Sequence, residues 1–198
     1  MKKGDATKQR IVEQSAYLMN RKGFIATSLA DIMDATGLQK GGFYNHFKNK
    51  EDLSLQAFDY CCSVQSKLLG EATAAPVPAA DKLKAFVDAF FQFPIPGGCP
   101  IIHVAVETED QPGPHALKEA ARAQMDERIG LLASLIETGQ RAGQIPGGLD
   151  PREEAAALMA EIEGAILLYS LYEDRAHIDR AKRRLYRELE ERFAVRAD

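Results

Sequence analysis

The sequence contains only three cysteines, and two of them, Cys61 and Cys62, are adjacent. Neither a disulfide framework nor a zinc site has this spacing. Oxidant sensing by the adjacent pair is an alternative, but buried structural thiols are far commoner, and the reactivity of Cys99 in its glycine-containing turn does not follow from the sequence. We therefore expect a reduced protein that binds no metal.

Long hydrophobic runs are also absent. No segment approaches the ~20 apolar residues that a membrane span needs, and the longest candidate, residues 165–172, is interrupted by Ser170. The N-terminal segment MKKGDATKQR is basic but lacks the apolar region of a signal peptide. The sequence therefore predicts a cytoplasmic protein that does not enter the membrane.

Strand patterns and catalytic motifs are missing as well. The chain has no useful run of alternating β-branched residues, and each of its segments follows the 3.6-residue period of a helix. It also contains no phosphate-binding loop, nucleophile elbow or paired-carboxylate pattern. We expect an all-α fold of about nine helices, without enzymatic activity and without a cofactor.

The charge of the chain is unevenly distributed. The net charge is −4, which alone argues against nucleic acid as a partner. Residues 1–50, however, carry nine Lys/Arg and four Asp/Glu, a net of +5, whereas residues 51–198 carry 16 and 25, a net of −9. This asymmetry indicates that the N-terminal part alone faces a polyanion.

The basic part contains a helix-turn-helix pattern. Gly23 is expected to end the preceding helix, residues 7–22. An amphipathic segment, residues 28–36, begins at Ser28, which is expected to form a capping box with Asp31, and stops at Gly37. A second short helix, residues 39–47, follows, with Phe43 and Phe47 one turn apart and expected in the core. Two short helices joined at a glycine are typical of a motif whose second helix enters the major groove of DNA.

The segment TSLADIMDATGLQKGGFYNHFKNKEDL, residues 27–53, resembles the DNA-binding signature of the TetR/AcrR family of bacterial repressors. This resemblance implies a three-helix DNA-binding domain over residues 4–64 and a helical effector-binding and dimerisation domain over residues 65–198. It also implies two partners, a double-stranded operator and a small-molecule effector. Residues 97–110, GGCPIIHVAVETED, are similar to a motif in one branch of the family.

Ten residues of the signature are expected to contact DNA, either at base edges or at phosphates. They are Thr27, Ser28, Gln39, Lys40, Gly41, Gly42, Tyr44, Asn45, His46 and Lys50. Two of them depart from the family pattern. Gln39 stands where Ser or Thr is frequent, which weakens the helix cap, and Gly42 is smaller than the usual residue, so its base preference does not follow from the sequence.

The C-terminal helices carry the prediction of a homodimer. The helix from Pro151 to Asp174 is apolar on nearly all sides, and its Ala160 and Gly164 allow close approach of another backbone. The last helix, from Ile178 to Phe193, has one apolar stripe. We expect both helices to form a dimer interface; the alternative is that they only close the core of the monomer.

Aromatic and sulphur-containing residues of the second half are first of all core residues, but together they are also suited to line an effector pocket. The proposed lining is Phe86, Phe90, Phe93, His103, Met125, Met159, Tyr169 and Tyr172. His103 and Glu107 have the spacing of two metal ligands on a helix, but without further ligands such a pair is usually local.

Three functions agree with these observations. The favoured one is a homodimeric repressor that a small molecule releases from a palindromic operator. The second is a helical small-molecule carrier or enzyme whose DNA-binding motif is vestigial. The third is an activator or architectural DNA-binding protein without a ligand.

Overall fold

The computed structural model describes residues 3–110 and 115–193, and all regular secondary structure in these residues is helical. The prediction of an all-α fold is confirmed. The first helices are α1 (Lys3–Lys22), α2 (Leu29–Thr36), α3 (Lys40–Tyr44) and α4 (Lys50–Thr73). They are followed by α5 (Ala79–Phe90), α6 (Pro100–Glu107), α7 (Ala116–Arg141), α8 (Pro151–Tyr172) and α9 (Ala176–Arg192).

The helices around the turn motif begin and end where the sequence predicts. Gly23 follows α1 with φ 106°, a left-handed conformation that favours glycine. The hydroxyl of Ser28 accepts from the Asp31 amide, and the Asp31 carboxylate accepts from the Ser28 amide, so the expected capping box is present. Gly37 then ends α2 in the left-handed conformation.

Helix α3 is shorter than the predicted segment 39–47. It ends at Tyr44, with Asn45 as its C-terminal cap. Two consecutive glycines among its five residues explain the difference, because glycine stabilises a helix poorly. The Phe47 amide still donates to the Phe43 carbonyl at 3.0 Å, and both rings are buried as predicted.

The chain forms two compact units, and their composition differs from the two expected domains. One unit combines Met1–Val64 with Phe93–Gln124, and the other combines Gln65–Gln92 with Met125–Asp198. The N-terminal segment of the first unit ends at Val64. The expected domains over residues 4–64 and 65–198 stay a prediction. The segment from Phe93 to Gln124, however, belongs to the unit of the turn motif, to which Asn20 and the backbone amides of residues 24–26 bind it by hydrogen bonds.

The second unit has a core built from α5, α8 and α9. Helix α9 packs on both α8 and α5, and its stripe of Ile178, Leu185 and Leu189 is fully buried. The apolar stripe of α9 therefore closes the core of the chain, so it is not free for the predicted dimer interface. Helix α8, in contrast, leaves one apolar face exposed.

Candidate nucleic-acid interface

The helix-turn-helix of the structure consists of α2, a three-residue turn over residues 37–39, and α3. Its anchors are aromatic: Phe43 is fully buried, and Phe47 is 2% exposed, with its ring centroid 5.4 Å from that of Phe43. The ammonium of Lys8 lies 5.5 Å from the centre of the Phe47 ring. These contacts hold the buried side of the second helix against the protein core and leave its other face exposed to solvent.

The exposed face of α3 is formed by Lys40, Gly41, Tyr44 and Asn45. Residues with this spacing lie on one side of a helix. Tyr44 is 53% exposed, and the edge of its ring packs against Phe43 at a centroid distance of 5.2 Å, which orients the phenol without burying it. A cation, a bare backbone and two hydrogen-bonding side chains therefore share one surface.

The remaining predicted residues of α3 and its ends occupy different positions. Gln39 is exposed and its side chain makes no capping hydrogen bond, as its departure from the family pattern predicts. Gly42 is half-buried, and a Cβ there would meet Leu38 at 3.5 Å. His46 is half-buried beside Phe47. Gly42 therefore faces the turn, whereas Gln39 extends the exposed face.

Two predicted phosphate contacts require correction. The Thr27 side chain is fully buried, and its hydroxyl donates to the Gly23 carbonyl at 2.6 Å. The Lys50 ammonium donates to the carbonyls of Ile25 and Thr27, at 2.5 and 2.9 Å. In this structure both side chains hold the loop between α1 and α2, because its carbonyl groups need partners away from water.

Acidic side chains at this end of the chain act as helix caps. A hydrogen bond from the Lys22 ammonium, with further ones from Ser28, holds the pKa of Asp31 well below its usual range. The Ser28 hydroxyl, one of the predicted DNA contacts, also donates to Asp31 at 2.6 Å. At the start of α4, the Lys48 amide donates to Asp52 and lowers the pKa of that carboxyl.

The predicted pocket residues are divided between the two units. Phe93 and His103 belong to the first unit, whereas the other six belong to the second. Phe86, Phe90 and Met159 are buried in the core, and the first two stack at a centroid distance of 5.8 Å. Met125 and Tyr169 are half-buried.

Tyr172 does not have the environment of a pocket residue. It is 62% exposed and stacks on His177 at 5.3 Å, so the prediction that it lines an enclosed cavity is corrected. His103 and Glu107 are not arranged as a metal site either. The His103 ring nitrogen is hydrogen-bonded to the Gly97 carbonyl at 2.6 Å. The Glu107 carboxylate accepts hydrogen bonds from the backbone amides of residues 24–26.

All three cysteines are buried. Burial raises the pKa of the Cys61 thiol to about 12, and its sulphur lies 3.8 Å from the Ala16 carbonyl. A thiol with this pKa is protonated at neutral pH, and the thiol is much less nucleophilic than the thiolate. Cys61 therefore has the properties of a structural residue.

Two residues with a special environment were not predicted as such. Arg128 is 2% exposed, and its guanidinium carbon lies 5.3 Å from the centre of the Phe90 ring. Glu107 was considered only as a metal ligand. For Arg128 the sequence did contain a signal, because a charged residue lies within the apolar stripe of a long helix. It contained no signal for the backbone amides that Glu107 binds.

Comparison with known families places both parts of the chain. The family described as "Bacterial regulatory proteins, tetR family" matches residues 11–57, and "Tetracyclin repressor-like, C-terminal domain" matches residues 79–185. The chain belongs to the TetR family. It is a DNA-binding transcriptional regulator.

Individual TetR-family proteins match over almost the whole chain. A regulator from Chloroflexus aurantiacus is 35% identical, with a TM-score of 0.92 over 98% of this chain and 100% of its own. One from Cytophaga hutchinsonii is 28% identical, with a TM-score of 0.90 over 100% and 99%. The HTH-type transcriptional repressor DhaR of Mycobacterium sp. (strain GP1) is 26% identical over 87% of this chain and 86% of its own.

Proposed function

We propose that this TetR-family regulator is a cytoplasmic homodimeric repressor that leaves a palindromic operator when a small molecule binds. The observation that carries the DNA-reading part is the exposed face of α3, where Lys40, Gly41, Tyr44 and Asn45 lie together on the basic part of the chain. We assign to Lys40 contacts with both base edges and phosphates, to Asn45 a base contact and to Tyr44 a phosphate contact, with Gln39, Ser28 and His46 at the margin.

The exposed face of α8 supports the dimer. Leu167, Leu168, Leu171 and Tyr172 are each between 42% and 68% exposed, and they account for half of the large exposed apolar residues in the described chain. Exposed apolar patches of this kind mark association surfaces. At Gly164, which continues this face, a Cβ would meet nothing within 4 Å, so a second backbone has room to approach.

A membrane is the competing explanation for this helix. Helix α8 is long and apolar enough to cross one by length and composition, which corrects the expectation that no segment approaches the length of a membrane span. Its other face, however, is buried on α9 through residues such as Ile162 and Ile166. A helix with one face in a protein core and one exposed apolar face is suited to pair with a second copy. A twofold dimer would also present two α3 helices to half-sites about 34 Å apart.

We place the effector in the second unit, near the stacked rings of Phe86 and Phe90. The buried guanidinium of Arg128 lies against Phe90 and adds a cation to an aromatic wall. Apolar walls with a few polar groups are the usual form of a ligand site. An effector with an aromatic ring would be complementary to this cluster.

The test is DNA binding by the wild type and by two variants, using the DNA that flanks its own gene. Tyr44→Ala and Lys40→Ala should each weaken binding, and the second should also reduce the dependence on salt. Unchanged affinity and salt dependence in both variants would disprove the assignment of α3. Tight binding of a small molecule by a wild type that shows no DNA footprint would instead favour a carrier or an enzyme.

A further inference from the structure

Glu107, the last residue of α6, binds the loop that connects α1 to the helix-turn-helix. Its carboxylate accepts hydrogen bonds from three consecutive backbone amides: Phe24 at 2.7 Å, Ile25 at 3.1 Å and Ala26 at 3.0 Å. Successive amides that converge on one point form a concave binding site for an anion. Here the anion is a side chain of the same chain, 81 to 83 residues away in sequence.

The carbonyl groups of the same loop are held from another helix. The Lys50 ammonium of α4 donates to the carbonyls of Ile25 and Thr27, and the Ser54 hydroxyl donates to that of Phe24 at 3.2 Å. The loop therefore binds an anion from α6 through its amides and a cation from α4 through its carbonyls. Ser28, which caps α2, follows directly, so the position of this loop determines where α2 starts.

The start of α6 is attached to the same end of α1. The Asn20 amide donates to the carbonyls of Pro96 and Gly98, both at 3.1 Å. Gly97 packs so closely that a Cβ there would lie 2.0 Å from the Asn20 carbonyl oxygen. Because both ends of α6 are bound near the C-terminal end of α1, a displacement of α6 relative to α1 would withdraw the Glu107 carboxylate from the loop.

We infer that Glu107 is a positioning residue for DNA binding: its carboxylate fixes the 24–26 loop, and with it the start of the helix-turn-helix. This inference rests on the proposed function, because it assumes that α2 and α3 read DNA. Glu107 itself is not proposed to contact DNA. Loss of the carboxylate should therefore disturb the position in which α3 meets DNA. It should not change the number of phosphates that the protein contacts.

The variants are chosen to separate positioning from folding and from charge. Glu107→Ala removes the acceptor, and Glu107→Gln keeps one acceptor oxygen but places an NH2 group near amide donors. Glu109→Gln is the control, because it removes one charge from an exposed residue two positions away. Gly23→Ala disturbs the same contact from the loop, because its Cβ would lie 2.3 Å from the Glu107 carboxylate oxygen.

The measurements are operator affinity at several salt concentrations and hydrogen exchange of the 24–26 amides, in full-length protein with unchanged dimer mass and helix content. The DNA is the duplex that the wild type selects from a random pool. Glu107→Ala should lower affinity about tenfold or more, since charged hydrogen bonds are lost. It should also speed exchange at these amides and leave the salt slope unchanged. Glu107→Gln should retain part of the affinity, and Glu109→Gln nearly all of it.

Gly23→Ala should weaken DNA binding in both backgrounds, because alanine is strained at φ 106°. The loss should be smaller in the Glu107→Ala background, because the displaced carboxylate is already gone there. If Glu107→Ala binds the selected duplex as tightly as the wild type, Glu107 does not position the motif. The same conclusion follows if the salt slope falls with affinity, because Glu107 loss would then have removed phosphate contacts. If the wild type selects no duplex at all, the proposed function itself fails.

Discussion

The α3 face and the α8 face are both exposed, but they differ in chemistry. The α3 face consists of Lys40, a bare glycine backbone and the polar ends of Tyr44 and Asn45 around a buried aromatic anchor. The α8 face presents leucines, such as Leu168 and Leu171, on a helix whose other side is buried. A polar exposed face on a rigid support is suited to a polyanion, whereas an apolar one is suited to a second protein surface.

The largest effect should come from breaking the α8 face. Leu171, at 68% exposure, can be changed to Asp without disturbing the buried core of the chain. At the proposed dimer interface, a buried, unpaired charge should produce monomers, and a monomer reads only one half-site. We expect operator affinity to fall about a thousandfold, towards non-specific binding, measured together with the mass in solution.

The control for this variant is Ser170→Asp, which adds the same charge at an exposed neighbouring position of α8. It should leave both the dimer and operator binding nearly unchanged. A Leu171→Asp protein that remains a dimer with full affinity would show that this face is not the interface.

The α3 face is tested by Lys40→Ala. Loss of one cation from the exposed face should weaken operator binding about tenfold and lower the slope of log affinity against log salt by about one. Lys67→Ala, which removes an exposed cation from the distant part of α4, should change neither quantity. If Lys40→Ala and Lys67→Ala bind the operator with the same affinity and the same salt slope, the α3 face contributes no more to DNA binding than the rest of the surface.

Gly41 offers a test in which stability and DNA binding change in opposite directions. A Cβ at this position meets nothing within 4 Å, so Gly41→Ala should stabilise the chain by about 0.5–1 kcal/mol. The added methyl group should nevertheless weaken operator binding several-fold, because the backbone can no longer approach the DNA as closely. Thermal unfolding and DNA titration measure the two effects.

Gly130→Ala provides the matched comparison, since Gly130 lies in α7 and its Cβ would also enter open space. It should give the same gain in stability without a change in DNA binding. A Gly41→Ala protein that binds the operator as well as the wild type would exclude close approach of the backbone at this residue.

The smallest effect concerns the pH dependence of stability. Hydrogen bonding from the Lys48 amide lowers the pKa of Asp52 in the folded state. Its contribution to stability is therefore present above the unfolded pKa of about 3.9 and is lost as the pH falls through the folded value. Asp52→Asn should lower the free energy of unfolding more at pH 7 than at pH 2, whereas Glu51→Gln should have little effect at either pH. Urea unfolding at the two pH values measures this, and a constant difference between Asp52→Asn and wild type would contradict it.

Much of the DNA-reading part followed from the sequence because its signals are local. The capping pair Ser28 and Asp31, the glycine at position 37 and the spacing of Phe43 and Phe47 each concern neighbouring residues, and the structure confirms them. The length of α3 was overestimated, because two glycines outweighed the pattern of aromatic residues.

Contacts between distant residues could not be predicted in the same way. Thr27 and Lys50 were assigned to phosphate because the resemblance to the TetR/AcrR family implied it, but the loop between α1 and α2 uses both side chains internally. Glu107 binds that loop across more than 80 residues, and no periodicity reports such a pairing. The apolar stripe of α9 likewise indicated burial without indicating whether its partner belonged to the same chain.

A footprint of the wild-type protein on the DNA it selects is the most direct test of the account. Two protected half-sites with related sequences, about one helical turn apart, are expected from a dimer that presents two α3 helices. Protection should disappear in Tyr44→Ala and Leu171→Asp at the same protein concentration. A single protected site, or uniform protection without sequence preference, would contradict the account.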